Sequence, residues 1–566
     1  MKFFNRHSGK EEAVAGTAFE KDGTSPMETP NTLTPNRLSE DPNVAAASHA
    51  DEGKVTVIAV LLGAIASVGG FIFGYESGQI SGFLQMTNFK ARFADNGEFD
   101  AARQGTIVGL LSAGTLVGCL ASGWICDKFG RRYTISASAF FYIIGVIIEI
   151  TSDTQWVQFA MGRFVAGLGI GALSTSVPMY QSESVPKKIR GTVVASYQLL
   201  ITLGIWTAYM INWGTKAAYK NSAQWRIPNG LSALWAILLG VGILFLPESP
   251  RYAYRMNRVD EARKSMARLN GVGEHSLLIE SEIAEIEAKL EEEKEGGDTR
   301  WYEAFTGERM MYRIILGMAL QAGQQLTGAN FFFYYGTTIF RSTGISDSFI
   351  TSIILGSVNV GATFVGLWVV KNCGRRVSLM WGAAVMCGCF LIYTFLGHFG
   401  LHDPNSGITQ TSGYILIAFT CVFIAAFAMT WGPLVWAVVG ELYPARYRAT
   451  AMALATASNW LLNFLISFFT TFITNAIDYY YGLVFAGSLF ALFWIVYFFM
   501  IESKDRSLEE IDTMYILKVA PRKSAKWTTG DQVIGSDNKE VNPTSGLFVQ
   551  QEHQERTATN EPQSSV

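Results

Sequence analysis

Apolar residues gather into runs that are separated by short charged or polar stretches. A helix needs about 20 predominantly apolar residues to cross the hydrocarbon core of a bilayer. The pattern predicts twelve such helices, at 55–80, 105–126, 132–151, 156–181, 191–213, 226–246, 311–340, 348–371, 376–398, 413–441, 447–475 and 480–501. The chain is therefore predicted to be an all-α integral membrane protein.

The predicted helices fall into two groups of six, with polar segments before, between and after them. We expect a disordered N-terminal tail at 1–54, a six-helix bundle at 55–250, a helical linker at 251–310, a second six-helix bundle at 311–501 and a C-terminal tail at 502–566. The N-terminal tail lacks the apolar core of a cleavable signal peptide. The C-terminal tail is poor in aliphatic residues, which favours disorder over most of its length.

The linker contains an amphipathic pattern. Apolar residues recur at helical spacing among glutamates, at Ile279, Ile283, Ile286 and Leu290. This spacing predicts a helix with one apolar face. We expect that face to lie against the ends of the two bundles.

Lysine and arginine are concentrated in alternate connections. These connections carry Lys128, Arg131, Arg132, Lys187, Lys188, Arg190, Arg251, Arg255, Arg258, Lys371, Arg375, Arg376, Arg446 and Arg448. The opposite connections are poorer, although the loop near 83–104 carries Lys90, Arg92 and Arg103. Cytoplasmic loops are enriched in Lys and Arg, so the linker and both tails are expected in the cytoplasm. We expect the plasma membrane as the location.

Three motifs occur once in each half and in the same order. Gly130-Arg131-Arg132 recurs as Gly374-Arg375-Arg376, Glu183-x-x-Pro186-x-x-x-Arg190 as Glu441-x-x-Pro444-x-x-x-Arg448, and Glu248-Ser249 as Glu502-Ser503. Two parallel six-helix repeats with a binding site at their interface are typical of transporters.

Composition and motif content exclude several other classes. The chain is 49% hydrophobic and 16% charged, against roughly 25% charged in an average soluble domain. The net charge of −3 and the lack of a basic face argue against nucleic-acid binding. We find no cysteine pair with zinc-site spacing, no phosphate-binding loop and no nucleophile–base pair. An enzyme, a metal site and a cofactor are therefore not expected.

The signatures in and beside the predicted helices identify a family. In chain order they are Gly69-Gly70-Phe71-Ile72-Phe73-Gly74-Tyr75-Glu76-Ser77-Gly78, Asp127-Lys128-Phe129-Gly130-Arg131-Arg132, Gly162-Arg163, Pro178-x-Tyr180-x-x-Glu183-x-x-Pro186, Pro247-Glu248-Ser249-Pro250-Arg251 and Gln324-Gln325-Leu326-Thr327-Gly328-Ala329-Asn330. Over about residues 55–510 the chain resembles the sugar porters of the major facilitator superfamily, most closely the fungal hexose carriers. The resemblance implies transport of a monosaccharide, such as glucose, by alternating access.

By the same resemblance, amide side chains bind the sugar hydroxyls, since amides both donate and accept hydrogen bonds. The implied residues are Gln198, Gln324, Gln325, Asn330, Asn359 and Asn459, with Trp436 stacking on the sugar ring. Tyr334, Tyr335 and Trp460 are further candidates. The alternative reading of each amide is a hydrogen bond that holds neighbouring helices together. The Gly432-Pro433 pair breaks the tenth helix and predicts a gate beside Trp436.

Two groups of charged residues have different expected roles. The repeated motifs predict salt-bridge networks that hold the bundles together while the site faces outward: Asp127, Arg131, Arg132, Glu183, Arg190, Glu248, Arg251, Arg375, Arg376, Glu441 and Arg448. Glu76 and Arg163 lie inside apolar runs, where a charge is costly unless it is paired or lines a cavity. We expect this pair to couple proton movement to transport, although many sugar porters have Asp at the position of Glu76. Glu149 also lies in an apolar run, and we expect water to reach it at the outer end.

Several alternatives remain open. A facilitative uniporter can retain the Glu76–Arg163 pair as a fixed structural contact. A non-transporting sugar sensor of the same fold is possible, and so is a carrier of disaccharides, polyols or organic acids. The expected partners are the sugar, a proton and membrane lipid. Lys523, Lys526 and Lys539 in the C-terminal tail are candidate sites for ubiquitin-dependent removal from the membrane.

Overall fold

The computed structural model describes residues 55–95, 97–295, 303–307, 309–341, 348–400, 407–444, 447–504, 506 and 508–527. Within these ranges the regular structure is helical, apart from one isolated β-bridge between Asp95 and Glu98. The predicted N-terminal tail at 1–54 and the C-terminal tail beyond residue 527 lie outside the described residues.

The N-terminal half is built from long antiparallel helices. These are α1 Val57–Phe83, the short α2 Thr87–Phe93, α3 Ala101–Phe129, α4 Arg131–Thr151, α5 Trp156–Ser184, α6 Lys187–Ala218 and α7 Ala223–Gly242, which continues as a 3-10 turn over Ile243–Phe245. The linker follows with α8 Pro250–Arg255, α9 Val259–Asn270, α10 Leu277–Glu295 and α11 Glu303–Thr306.

The C-terminal half repeats this arrangement with two broken helices. Its helices are α12 Met310–Leu326, α13 Ala329–Arg341, α14 Ser348–Asn372, α15 Arg375–Gly400, α16 Gly407–Met429, α17 Trp431–Leu442, α18 Arg448–Ile477 and α19 Tyr481–Phe499. After them come α20 Leu508–Ile516 and a 3-10 turn at Ser524–Lys526.

Ten helical stretches within the described ranges are long and apolar enough to cross a membrane, judged by length and composition. One of them, Thr450–Phe499, contains both α18 and α19. A further crossing is divided between α12, with 17 residues, and α13, with 13. The predicted all-α membrane fold of twelve crossings is thereby confirmed. Large apolar side chains such as Trp124, Trp381 and Phe399 are exposed, as a surface in contact with lipid requires.

The break in the seventh crossing is caused by glycine. Gly328 has a φ of +86°, in the left-handed region that side chains disfavour. A Cβ at this position would also lie 2.7 Å from Cζ of Phe390 and 2.8 Å from Cγ of Phe485. Since any other residue would be both strained and blocked, glycine is the residue that allows the chain to break here, between Leu326 and Ala329.

The tenth crossing is broken at Thr430, which has φ −127° and ψ −83° and separates α16 from α17. Pro433 lies in the first turn of α17. Because proline has no backbone N–H, it cannot donate a helical hydrogen bond to a carbonyl on the other side of the break. The sequence predicted a break at Gly432-Pro433, and the structure places it just before that pair.

The contacts that join the two halves lie at mid-span and toward one end. We call the end that carries the Lys- and Arg-rich connections the basic end. At the opposite end, the Ser81 hydroxyl on α1 lies 3.0 Å from that of Thr337 on α13. Trp206 Nε1 on α6 donates to Ser357 Oγ on α14 at 2.9 Å. The molecule is therefore closed at the end opposite to the basic end.

The linker packs differently from the prediction. Ile279 and Ile283 of α10 are buried against Met266 of α9, with Tyr254 of α8 beside them. The apolar face of α10 thus forms a small core within the linker rather than covering the ends of the bundles. Arg263 of α9 and Glu280 of α10 form an ion pair at the exposed edge of this core. The side chain of Leu290 lies outside the described part.

The beginning of the C-terminal tail is folded in its described residues, 502–504, 506 and 508–527, whereas the prediction of disorder over most of the tail concerns mainly residues outside the described part. Met514, Tyr515 and Trp527 are buried against the C-terminal half. Nη1 of Arg313, on α12, lies 2.6 Å from Oδ1 of Asp512. These few contacts hold the segment against the C-terminal half. The average composition of the whole tail does not indicate them.

Candidate functional site

A buried cluster of amides is centred on Asn459 of α18. Its Nδ2 donates to Oε1 of Gln321 and to Oε1 of Gln324, both on α12 and both at 2.8 Å. Its Oδ1 accepts a hydrogen bond from Nε2 of Gln325 at 2.8 Å. Oε1 of Gln325 in turn accepts from Nδ2 of Asn330, on α13, at 2.5 Å. The structure therefore brings together four of the predicted sugar-binding residues: Gln324, Gln325, Asn330 and Asn459.

The cluster reaches the break in the tenth crossing. Nε2 of Gln324 donates to the backbone carbonyls of Trp431 and Gly432, at 2.9 Å each. Gln198, on α6 in the other half, approaches the same point, because its Nε2 lies 3.9 Å from the position that a Cβ on Gly432 would occupy. Amides from both halves thus converge on the first turn of α17.

The other two predicted sugar ligands are placed differently. Trp436 lies one turn after Gly432 on α17 and is 36% exposed, so part of its indole ring is not covered by protein. Asn359, on α14, is buried. The hydrogen bond described for Asn359 uses its backbone carbonyl, which accepts from Thr363 Oγ1 at 2.7 Å. Within the described contacts, Asn359 is not joined to the amide cluster.

The two ionisable residues of the predicted proton site form a direct pair. Nη1 of Arg163, on α5, donates to Oε1 of Glu76, on α1, at 2.8 Å. The other carboxylate oxygen accepts from Nε2 of Gln79 and from the hydroxyl of Tyr142 on α4, at 2.7 Å each. All four side chains are buried. Three helices of the N-terminal half therefore share one charge pair.

A second carboxylate lies close to this pair. Glu149 on α4 is fully buried, so the expectation that water reaches it was wrong. Its burial follows from close packing, since a Cβ on Gly162 of α5 would lie 2.6 Å from Cγ of Glu149. Oε2 accepts from Nδ2 of Asn229 at 2.9 Å, while Oε1 has no partner among the described residues. Glu149 is within electrostatic range of Glu76 and Arg163.

Asn463 connects the amide cluster to the N-terminal half. Its Nδ2 donates to Oε1 of Gln325 at 3.3 Å. Its Oδ1 accepts from Ser112 Oγ, on α3, at 2.7 Å and from the Tyr334 hydroxyl, on α13, at 3.3 Å. Neither Asn463 nor Gln321 was predicted to take part. The sequence does contain a feature that indicates their position. Each lies four residues, about one helical turn, from a predicted amide and therefore on the same face of its helix.

At the basic end of the N-terminal half, one carboxylate holds an arginine and another caps a helix. Glu183 accepts from Nη2 of Arg131 at 3.0 Å and from Ser249 Oγ at 2.5 Å. Glu248 accepts from the first two backbone N–H groups of α4, at 3.1 and 3.2 Å. Asp127 lies 3.5 Å from both Arg131 and Arg255. Burial raises the pKa of Glu248 above its ordinary value, and the N–H donors oppose this effect.

The C-terminal half repeats the contacts of Glu183 and Glu248, but no described contact there corresponds to those of Asp127. Glu441 lies 3.3 Å from Nη2 of Arg375 and accepts from Ser503 Oγ at 2.6 Å. Glu502 accepts from the first two backbone N–H groups of α15, at 2.7 and 3.1 Å. The contacts described for both networks lie within one half, so the predicted role of bridging the halves in the outward-facing state stays a prediction.

The remaining arginines of the motifs donate to carbonyls at helix ends. The pairs are Arg132 with Leu246, Arg376 with Tyr497, Arg190 with Val185 and Arg448 with Tyr443. Each of these arginines closes the end of a helix, where backbone carbonyls lack partners. Arg251 is exposed at the start of α8, and no described contact joins it to the networks.

This arrangement can bind a neutral polyhydroxylated molecule. Donors and acceptors of the amides lie side by side at the interface of the halves, and an aromatic ring is partly uncovered beside them. The charge pair lies apart from the amides in the N-terminal half. Helix breaks at Gly328 and Thr430 sit next to the amides, where small changes in backbone angle can move α13 and α17.

Several proteins with similar sequences come from yeasts. The chain is 44% identical over 473 residues to Hexose transporter 2 of Kluyveromyces lactis, covering 82% of this chain and 83% of that protein. It is 42% identical over 488 residues to Hexose transporter HXT10 of Saccharomyces cerevisiae, covering 84% and 88%. The high-affinity fructose transporter ght6 of Schizosaccharomyces pombe is 42% identical over 512 residues, with coverage of 88% and 95%.

Solved structures show the same fold at lower identity. The proton:xylose symporter XylE bound to 6-bromo-6-deoxy-D-glucose superposes with a TM-score of 0.68 at 23% identity, covering 82% of this chain and 100% of that chain. The inward-open conformation of XylE from E. coli gives a TM-score of 0.65 at 24% identity, with coverage of 81% and 99%. The family model of the sugar (and other) transporters matches residues 62–515. The chain belongs to this sugar transporter family, with the major facilitator fold.

Proposed function

We propose that this protein carries a hexose, such as glucose, across the plasma membrane by alternating access. The observation that supports this most directly is the amide cluster of Gln324, Gln325, Asn330 and Asn459, which lies between the halves and next to both helix breaks. The yeast relatives are named as hexose and fructose transporters, and their extensive identity favours the same substrate class here.

In the proposed binding mode, the sugar replaces some of the amide–amide hydrogen bonds with its own hydroxyls. Gln325 and Asn330 lie on the two sides of the Gly328 break, so their side chains can separate when α13 moves. Gln198 would contact the sugar from the N-terminal half and Trp436 would cover one face of the ring. Asn359 would join only after a movement of α14, since it has no described contact with the cluster.

The structure is closed at the end opposite to the basic end. With the basic end in the cytoplasm, as the distribution of Lys and Arg favours, this conformation faces inward. The mirrored networks of Arg131–Glu183 and Arg375–Glu441 then lie at the cytoplasmic side. In the outward-facing state these surfaces would approach each other and close the cytoplasmic side.

We propose that transport is coupled to a proton at Glu76. When the pair separates, the buried carboxylate of Glu76 loses the compensating charge of Arg163. It must then take up a proton to become neutral. Gln79 and Tyr142 can hold the carboxyl group in place in either form. The second candidate is facilitative transport. The hydrogen bonds to both carboxylate oxygens of Glu76 favour it, because a carboxylate held in this way can also be purely structural.

Uptake of labelled glucose into proteoliposomes, with and without an inward proton gradient, tests both levels of the proposal. Saturable uptake that unlabelled glucose inhibits is expected, and its absence would contradict hexose transport. Accumulation above equilibrium in the gradient is expected only for a symporter. Glu76→Gln should abolish that accumulation but spare counterflow exchange. Uphill accumulation at the parent level in this variant would refute coupling at Glu76, and a parent that never accumulates sugar would establish the facilitator.

A further inference from the structure

A cavity of about 140 Å³ lies between the start of α12 and the folded beginning of the C-terminal tail. Two cationic side chains line it, Arg309 and Lys518. Apolar side chains form much of the remaining wall, among them Met514, Val519 and Pro521. The cavity is separate from the amide cluster and shares no residue with the Glu76 pair or with the mirrored networks.

Within the described part of the chain, no counter-charge lies against the two cations. Neither Arg309 nor Lys518 has an acidic partner among the residues that the structure describes, and the buried Nε of Arg309 has no hydrogen-bond partner there. Arg313, one turn further along α12, is a useful contrast because Asp512 neutralises it at 2.6 Å. Two cations at one cavity repel each other unless an anion lies between them.

The backbone holds both cations in an unfavourable conformation. Arg309 has a φ of +58° and Lys518 a φ of +56°, in the left-handed region that favours glycine. Lys518 closes the C-terminal end of α20, where the N–H groups of Lys518 and Val519 bond back to Tyr515 and Met514. Glycine is the usual residue at such a position. Residues held in such sparsely populated backbone conformations cluster at functional sites, ligand-binding sites among them.

The cavity lies near the ends of α12 and α19, close to exposed apolar side chains. Ile315, in the second turn of α12, is 58% exposed, and Phe499, at the end of α19, is 48% exposed, as expected for lipid-facing side chains. The guanidinium of Arg522 lies over the rings of Tyr497 and Phe498, at 4.6 and 5.2 Å. Aromatic and basic side chains gather at the level of the lipid headgroups.

We propose that Arg309 and Lys518 bind the phosphate group of an anionic phospholipid, whose acyl chains lie along the exposed end of α19. A lipid fits better than a soluble anion because the cavity is largely apolar and adjoins a lipid-facing surface. The bound lipid connects the C-terminal tail to α12, the helix that carries Gln324 and Gln325. This proposal is independent of the substrate and of proton coupling.

Native mass spectrometry of the full-length, detergent-purified protein, titrated with phosphatidic acid or phosphatidylcholine, provides the test. The parent should bind one phosphatidic acid in clear preference to phosphatidylcholine. Arg309→Gln and Lys518→Gln should each weaken that binding about fivefold, as expected for one cation at a membrane surface. The matched control is Lys523→Gln with Lys526→Gln, which removes two exposed cations of the same segment that do not line the cavity.

A further variant, Lys518→Gly, separates binding from folding. It removes the cation and also relieves the left-handed backbone, so it should unfold at the same or a higher temperature while binding phosphatidic acid more weakly. Parent-level binding in both Gln variants would overturn the proposal. An equal loss in the control pair would also overturn it, because the attraction would then be diffuse. Displacement of the lipid by millimolar inorganic phosphate would identify a soluble-anion site instead.

Discussion

The Glu76–Arg163 pair allows a quantitative prediction about stability. Both side chains are buried and 2.8 Å apart, so removing one of them leaves the other charge without compensation. Breaking a buried pair in this way typically costs about 3–5 kcal/mol. Glu76→Gln keeps an amide that can hydrogen bond to Tyr142 and Gln79, so nearly all of its effect should come from the stranded charge of Arg163.

The double variant distinguishes this explanation from a loss of packing. Glu76→Gln together with Arg163→Gln removes both charges and leaves two neutral amides. It should therefore be more stable than either single variant, with a coupling energy of about 3 kcal/mol or more. The assay is thermal unfolding of purified protein in detergent, with Glu280→Gln as the control, since that carboxylate belongs to an exposed pair and should have little effect.

Additive losses in the double variant would refute the reasoning, because they would mean that the two charges do not compensate each other in the folded protein. Glu149 is the other described carboxylate within electrostatic range of Arg163. If Glu149 takes over as the partner of Arg163 in Glu76→Gln, the single variant will be milder than predicted. Adding Glu149→Gln to it should then restore the full loss.

Further predictions concern the remaining sites. Gln325→Ala, Asn330→Ala and Trp436→Ala should each weaken glucose uptake, with about 1 kcal/mol for each lost hydrogen bond; parent-like kinetics in all three at equal surface expression would exclude this binding site. Glu441→Gln or Arg132→Gln should increase the accessibility of engineered cysteines from the cytoplasm without abolishing sugar binding, and unchanged accessibility would count against a gating role. Truncation after Trp527 should prolong the surface lifetime under excess glucose if the distal tail, with Lys539, directs turnover; a truncation at residue 520 would instead remove the buried Ser524 and Trp527 and is expected to destabilise the protein.

The sequence predicted the crossings well because the bilayer imposes a length of about 20 apolar residues on each helix. It also predicted the break near Gly432-Pro433, since the backbone constraints of these residues act locally, but it did not predict the break at Gly328 within 311–340. The burial of Glu149 was not predictable in the same way. Its position in an apolar run is equally compatible with a water-exposed helix end, and only the approach of Gly162 and Asn229 from two other helices decides between them.

Roles that depend on tertiary contacts could not be predicted from the sequence either. Asn463 and Gln321 look like ordinary polar residues within a helix, and their roles depend on which faces of α12 and α18 meet. The conformational state is a similar case. Both the inward-facing and the outward-facing states bury almost the same apolar pattern, so hydropathy alone cannot predict which end is closed.

The two halves are alike at the basic end and unlike at mid-span, which indicates how the work of transport is divided. Glu183 and Glu441 hold equivalent arginines because both halves need the same closure at their ends. At mid-span the N-terminal half has a continuous α1 with a charge pair, whereas the C-terminal half has a broken helix with amides. A change at Glu76 must therefore cross between the halves to affect the sugar. One described link between the halves reaches the amides: Ser112, on α3, donates to Asn463, which donates to Gln325.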